Sequence, residues 1–286
     1  CSIMELFVRK IPNDYSYKKA YLDSKSAKID YLFLGNSHAY YGIDPALFSK
    51  ESFNASHVSQ SIDYDYEILK KYQQRWNSLK CIFIPIDYFT LYSRIETSKE
   101  PWRAKNYEIY YKINKSNKIS NHSELFHFKP ATTFKRIYSY YIKNEYPITC
   151  NEQGYGNKKR KVKDLFESGP KAAIRHTAKN SEAFEQNVKI VNKIINLAKQ
   201  NDANVVFYTS PSYYTYAEKL DGHQLQKTLQ TIKEIILEHD NSSYHNFLTD
   251  SSFNQNDFMD ADHLNDNGAT KFTLKLKKIA YKQQYK

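Results

Sequence analysis

Three short stretches of this chain are apolar without interruption: Tyr31-Leu32-Phe33-Leu34, Cys81-Ile82-Phe83-Ile84 and Val205-Val206-Phe207-Tyr208. A strand with one wet face alternates polar and apolar residues. An unbroken apolar run of about four to eight residues, bounded by turn signals, instead reads as a strand buried on both faces. The first run stops at Gly35, the second at Pro85-Ile86, and the third at Thr209-Ser210-Pro211. Weaker strand candidates lie at Phe53–Ser56 and Phe247–Leu248. Between and after the strands the spacing changes to three and four. Ile62, Tyr66, Ile68 and Leu69 predict a helix within 61–72. Phe184, Val188, Val191, Ile194, Ile195 and Ala198 predict a long one, capped by Asn180 or Ser181. Leu225, Leu229, Ile232 and Ile235-Ile236 predict another over 224–238, and a last helix is expected from near Gly268 to Tyr281.

Strands alternating with helices predict an α/β fold: three layers, α/β/α, around a short parallel sheet of the flavodoxin-like kind. Residues from about 90 to 170 break the rhythm. They are rich in tyrosine, lysine and asparagine, and read as a large helical or irregular insertion beside the core. No internal repeat is visible. The expected organisation is a lead-in over 1–27 and one domain over 28–286 that carries the insertion. Ligands of such sheets bind outside the carboxyl ends of the strands. That rule selects Gly35–His38, Ala55–Gln60, Asp87–Phe89 and Thr209–Pro211.

The net charge is +11. Such a balance suits nucleic acid, an anionic membrane surface or an acidic polymer. The lysines are scattered, and zinc-finger spacing, an RNP-like motif and a basic coiled coil are all lacking, so nucleic acid is not expected. The one dense run, Lys158-Lys159-Arg160-Lys161-Val162-Lys163, reads as a solvated loop. Cys1, Cys81 and Cys150 have no metal or redox spacing. Residues 1–8 are mostly apolar and are followed by Arg9-Lys10. This is the pattern expected where a membrane anchor or signal lies upstream. A lipid-modified Cys1 and an ordinary amphipathic segment are the alternatives.

Two motifs could carry chemistry. In Gly35-Asn36-Ser37-His38 a serine follows a buried strand and a glycine. That position offers a nucleophile beside the backbone N–H groups of a tight turn, although serine at a helix start is also a common cap. In Asp260-Ala261-Asp262-His263-Leu264-Asn265 a histidine could accept a proton while Asp260, three residues back, holds its other nitrogen. The plainer reading is a polar loop before a helix capped by Asp266 or Asn267. Asp262 competes for the orienting role, but its adjacency to His263 makes the turn-back geometry harder.

Together, a Gly-x-Ser turn after the first core strand and an Asp-x-x-His just before the last helix resemble the SGNH/GDSL hydrolase superfamily, from about residue 28 to residue 280. The likeness implies Ser37 as nucleophile, His263 as base and Asp260 as its orienter, with no metal or organic cofactor. Gly35-Asn36-Ser37-His38 stands where the family often has Gly-Asp-Ser-Leu. The second block, here Phe53 to Ser61, lacks its glycine, which leaves Ser59 or Gln60 to line the pocket; Asn36, His38 and Ser210 are further lining candidates. The third block, Ile84 to Tyr88, lacks its asparagine and carries Asp87, which is expected to point away from a developing oxyanion. His57 is expected to be structural. Tyr88, Tyr92, Tyr107, Tyr110 and Tyr111 could stack on sugar rings, but packing the insertion against the core is the simpler use.

The pattern is most similar to membrane-anchored envelope members of that superfamily, DltD-like (D-alanyl-lipoteichoic-acid) and polysaccharide O-acetylation proteins. That likeness implies a serine-dependent acyl-ester hydrolase or O-acyltransferase outside the cytoplasm, with an acyl-ester donor and a polysaccharide or teichoic-acid-like acceptor. The alternative is an inactive module of the same fold that binds glycan or scaffolds its assembly.

Overall fold

A computed structural model of the protein describes residues 2–115, 118–157 and 161–284. Cys1 and the Lys158–Arg160 part of the basic run lie outside the described residues. Five parallel strands form the sheet: β1 (Tyr31–Phe33), β2 (Phe53–Asn54), β3 (Cys81–Pro85), β4 (Asn204–Thr209) and β5 (Ser242–Asn246), in the order β2-β1-β3-β4-β5. Leu32 pairs with both Phe53 and Ile82, and Phe83 with both Phe33 and Val206.

The unbroken apolar runs follow from burial of both faces. On one side Leu32, Ile82, Ile84, Val205 and Phe207 pack under α2 (Asp14–Lys25), α4 (Ile62–Lys71), α7 (Phe184–Lys199) and α8 (Gly222–Leu237). On the other, Tyr31, Phe33, Phe83, Val206 and Tyr208 meet α3 (Ser37–Gly42), α9 (Asp266–Gln284) and the hairpin of β6 (Phe258–Asp260) and β7 (His263–Leu264). Each such side chain contributes about 1.5–3 kcal/mol on burial. The fold is therefore the expected three-layer α/β/α.

Two local expectations are corrected. The last sheet strand is Ser242–Asn246, not Phe247–Leu248. It is an edge strand, only partly buried, so its apolar signal is weak. Helix α7 begins after Ala183 with no side-chain cap; Asn180 and Ser181 lie upstream, in the turn that leads into it.

The segment between β3 and α7 holds α5 (Pro130–Tyr141) and α6 (Leu165–His176) among short helical turns. Its tyrosines are used for packing: Tyr88, Tyr107 and Tyr111 are buried, Tyr92 leans on Phe184, and the Tyr110 hydroxyl donates to Glu124 at 2.8 Å. Upstream of β1, Tyr15 and Leu22 of α2 lie in the same core as the sheet. Among the described residues, no helix is long and apolar enough to cross a membrane.

The strand order reverses between β1 and β3. Chain segments leaving neighbouring strands in opposite directions open a crevice there, at the carboxyl ends. Gly35–His38 leaves β1 and Asp87 leaves β3 at this point.

Candidate active site

Gly35 has φ +114°, and a Cβ there would lie 2.4 Å from Pro85 Cδ and Cγ. Only glycine meets both conditions without strain. Its N–H donates to Asp65 Oδ1 at 2.8 Å, and its carbonyl accepts the His57 N–H at 3.2 Å. The turn is thus held from two sides. Asn36 follows as the N-cap of α3: its Oδ1 accepts the His38 N–H at 2.8 Å. Ser37 is the first residue of the helix, where backbone N–H groups have no partner within the helix itself.

The second motif becomes a hairpin. Asp260 pairs with His263 across β6 and β7, and Ala261-Asp262 make the turn. The Asn265 side chain then accepts the Asn267 and Gly268 N–H groups, so Asn265, rather than Asp266 or Asn267, caps α9. His263 Nδ1 lies 2.7 Å from Asp260 Oδ1, and its Nε2 lies 2.8 Å from Ser37 Oγ. A carboxylate only accepts, so Nδ1 carries the proton, and neutral Nε2 accepts from the serine hydroxyl. Asp260 is preferred over Asp262 on distance, since Asp262 Oδ1 is 3.6 Å from Nδ1.

The sequence reading missed a second layer of charge. The Asp87 carboxylate is tied to the residues on either side of Ser37 and to Ser210. Its Oδ2 lies 2.8 Å from His38 Nδ1 and accepts from Asn36 Nδ2 at 3.1 Å, while Oδ1 accepts the Ser210 N–H at 2.9 Å. A buried carboxylate at a strand end needs a cation or several donors; His38 and Asn36 of the nucleophile turn and the Ser210 N–H beyond β4 supply them. Burial opposes charge on His38, but Asp87 and Asp262 outweigh it and push its pKa up to about 10. Burial likewise opposes the ionised form of Asp87, yet His38 holds it below the usual carboxylate range.

Asp262 sits on the far side of His38, 3.7 Å from Nε2, an ion-pair separation that leaves this nitrogen without a hydrogen-bond partner among the described residues. Helix α6 of the insertion brings Arg175 Nη2 to 3.2 Å from Asp262 Oδ2, and His176 Nε2 to 3.9 Å. Burial drives His176 down to about 3, so it is neutral, while Arg175 and His38 supply the positive charge. Lys163 lies in an exposed loop, as expected, and its Nζ reaches to 3.0 Å from Asp260 Oδ2. Three carboxylates (Asp87, Asp260, Asp262) therefore face three cations (His38, Arg175, Lys163) around His263.

Asn36 and His38 are thus adjacent to Ser37, but their side chains are engaged with the α3 cap and with Asp87. Ser59, in a left-handed conformation (φ +62°), donates to Glu100 Oε2 at 2.6 Å. Gln60 is buried between Asp65 and the Tyr107 hydroxyl. Ser210 supplies its N–H to Asp87, and its buried Oγ has no hydrogen-bond partner among the described residues. His57 is structural: it stacks on Tyr15 at 3.9 Å and meets the Tyr111 hydroxyl at 2.9 Å. His38, Asp262 and His263 offer ligand atoms within 4.8 Å of one another, the one such cluster among the described residues. Both nitrogens of His263 are engaged, with Asp260 and Ser37, and Asp262 Oδ2 with Arg175, while His38 Nδ1 is engaged with Asp87.

Burial lowers the pKa of His263, but the charge of Asp262 and the hydrogen bond of Asp260 outweigh it and raise it. A base works only when neutral, so activity falls as pH drops through this raised value. Asp262→Asn removes the largest charge that raises it and leaves His38 and Arg175 to oppose imidazolium formation. The acid limb of the pH–kcat/KM profile is expected to move down by about one pH unit. An unmoved or raised limb in that profile would show that Asp262 does not act on His263.

No protein-family model matches this chain, and no curated protein matches it. Among solved structures, a chain from Streptococcus pneumonia provisionally described as platelet activating factor has a TM-score of 0.48 at 10% identity, over 94% of this chain and 91% of that one. A provisionally described acylhydrolase from Bacteroides fragilis has a TM-score of 0.44 at 11% identity, over 92% and 95%.

Proposed function

We propose that the chain is a serine-dependent acyl-ester hydrolase or O-acyltransferase of the SGNH/GDSL kind. The observation that carries the reading is the continuous chain from Ser37 Oγ through His263 to Asp260, at 2.8 and 2.7 Å, on the crevice at the strand-order reversal. Ser37 Oγ attacks the ester carbonyl while His263 Nε2 takes its proton. The oxyanion forms beside the first turn of α3, where the Ser37 N–H can donate. Collapse breaks the ester C–O bond, and His263 returns the proton to the departing alkoxide. Water or a sugar hydroxyl then attacks acyl-Ser37 by the same route in reverse. Asp260 holds the tautomer, and Lys163 holds Asp260.

The finer parts of the proposal are an envelope glycan or teichoic-acid-like acceptor and an extracytoplasmic, membrane-attached location. The net charge of +11 suits an anionic polymer, and the resemblance of the two motifs points the same way. The test is release of acetate from a small activated acetyl ester, with and without soluble glycan. Turnover that rises with glycan, with acetylated sugar as product, is expected of a transferase. Turnover unaffected by glycan identifies a hydrolase, and no turnover under either condition argues against both.

One observation favours a second reading, a binding module without activity. Asp87 stands where the superfamily's asparagine would donate to the oxyanion, and it is a carboxylate tied to His38, Asn36 and Ser210. That reading predicts glycan binding that persists in Ser37→Ala with no acyl-Ser37 at any stage.

A further inference from the structure

Two helices turn their apolar stripes outward. In α1 (Ser2–Lys10), Ile3, Leu6 and Phe7 are 72%, 60% and 48% exposed. In α5 and its C-cap, Phe134, Tyr138 and Ile142 are 57%, 53% and 65% exposed, and the helix buries only Thr133. The spacings i, i+3, i+4 and i, i+4, i+8 each mark one helical face. The faces join: the Phe7 and Tyr141 rings meet edge-on at 5.6 Å, and the Tyr141 hydroxyl donates to the Phe7 carbonyl at 2.9 Å. Apolar residues scattered singly over a surface are ordinary, whereas a continuous patch marks a contact surface.

The charges around the patch have one dominant sign. Lys10, Lys135 and Lys143 are exposed on its helices and edges, and the Lys143 ammonium lies 5.7 Å from the Tyr138 ring centre. Glu5 is turned inward onto Arg9 and the N–H groups of Glu124 and Leu125. Glu145 is the one exposed acidic residue over 130–146. Cores of protein interfaces are depleted in lysine. Here lysine follows directly on an apolar residue, in Phe134-Lys135 and again in Ile142-Lys143. Tyrosines with polar tips, aliphatic side chains and long-stemmed cations together match the interfacial zone of a bilayer with anionic headgroups.

We propose that the α1–α5 face docks on an anionic lipid surface. It uses none of the residues around Ser37, so it stands or falls apart from the ester chemistry. The test is co-sedimentation of the full chain with phosphatidylcholine vesicles, with and without phosphatidylglycerol, at low and high salt. Binding is expected to favour the anionic vesicles and to weaken with salt. Leu6→Glu/Ile142→Glu is expected to lower partitioning at least tenfold. Lys135→Glu/Lys143→Glu should cost roughly tenfold or more on anionic vesicles and little on neutral ones. These side chains are exposed, so near-ultraviolet circular dichroism should match the parent protein. Equal binding to both vesicle types, or variants that bind like the parent, would overturn the proposal. So would a lipid-free dimer, seen by light scattering and dissociated by Leu6→Glu/Ile142→Glu, with no vesicle binding: that result would assign the face to a second copy of the chain.

Discussion

Ser37→Ala is expected to lower kcat for an activated acetyl ester by about a thousandfold or more, and His263→Ala to match it. The two groups act as one unit, so the double variant should be scarcely worse than either single one. Asp260→Asn should fall between them and the parent. It keeps the shape of the carboxylate but can present an N–H to Nδ1, which turns Nε2 from acceptor into donor and leaves the Ser37 hydroxyl without a base. None of the three should change the fold, because Ser37 and His263 are only partly buried and the asparagine fills the space of the aspartate. Steady-state rates with thermal unfolding of the same preparations check this. Additive losses in the double variant would mean that serine and histidine do not work on one proton.

Gly35→Ala is the second large effect, and it is one of stability. The new methyl group would lie 2.4 Å from two ring carbons of Pro85, at a φ of +114° that side chains rarely adopt. Overpacking and backbone strain together are expected to cost about 3 kcal/mol. For a chain of this size that lowers Tm by roughly 5–10 °C. The shift should also move Ser37 away from His263, since the turn between β1 and α3 has no slack. Gly42, at the other end of α3, provides the control. A Cβ there meets Leu264 Cδ1 at 3.6 Å, an ordinary contact, so Gly42→Ala should change Tm by about 1 °C or less. Equal Tm values for the two variants would contradict the assigned strain.

The core was legible because both faces of β1, β3 and β4 are buried, which makes their sequences unbroken apolar runs. Edge strand β5 has no such burial, and Ser242–Asn246 is accordingly polar and unremarkable in the sequence. Ser37, Asp260 and His263 stood out because each motif is local: one tight turn and one hairpin. The charges around them are not local. Arg175, His176 and Lys163 reach Asp262 and Asp260 only through the way the insertion folds back, across a sequence distance no periodicity records. Asp87 carried a usable signal. A carboxylate at the inner end of a fully buried strand must be neutralised, and His38 leaves the neighbouring strand beside it.

That charge set gives the site its character. The His38–Asp87 pair fastens the start of α3 to the end of β3, across the two strands that open the crevice. Arg175 and His38 offset Asp262, and of the two carboxylates beside His263 Nδ1 it is Asp260 that lies at hydrogen-bond distance. The insertion therefore takes part in the electrostatics of the proton path, whatever else it contributes.

The central claim is that Ser37 is a nucleophile activated by His263. The most direct measurement is labelling with a serine-directed fluorophosphonate, followed by peptide mass spectrometry. The account predicts a single phosphonylated residue, Ser37, with labelling lost in His263→Ala and slowed as pH falls through the raised pKa of His263. An unlabelled Ser37 in the folded protein, or labelling at the same rate without His263, would contradict it.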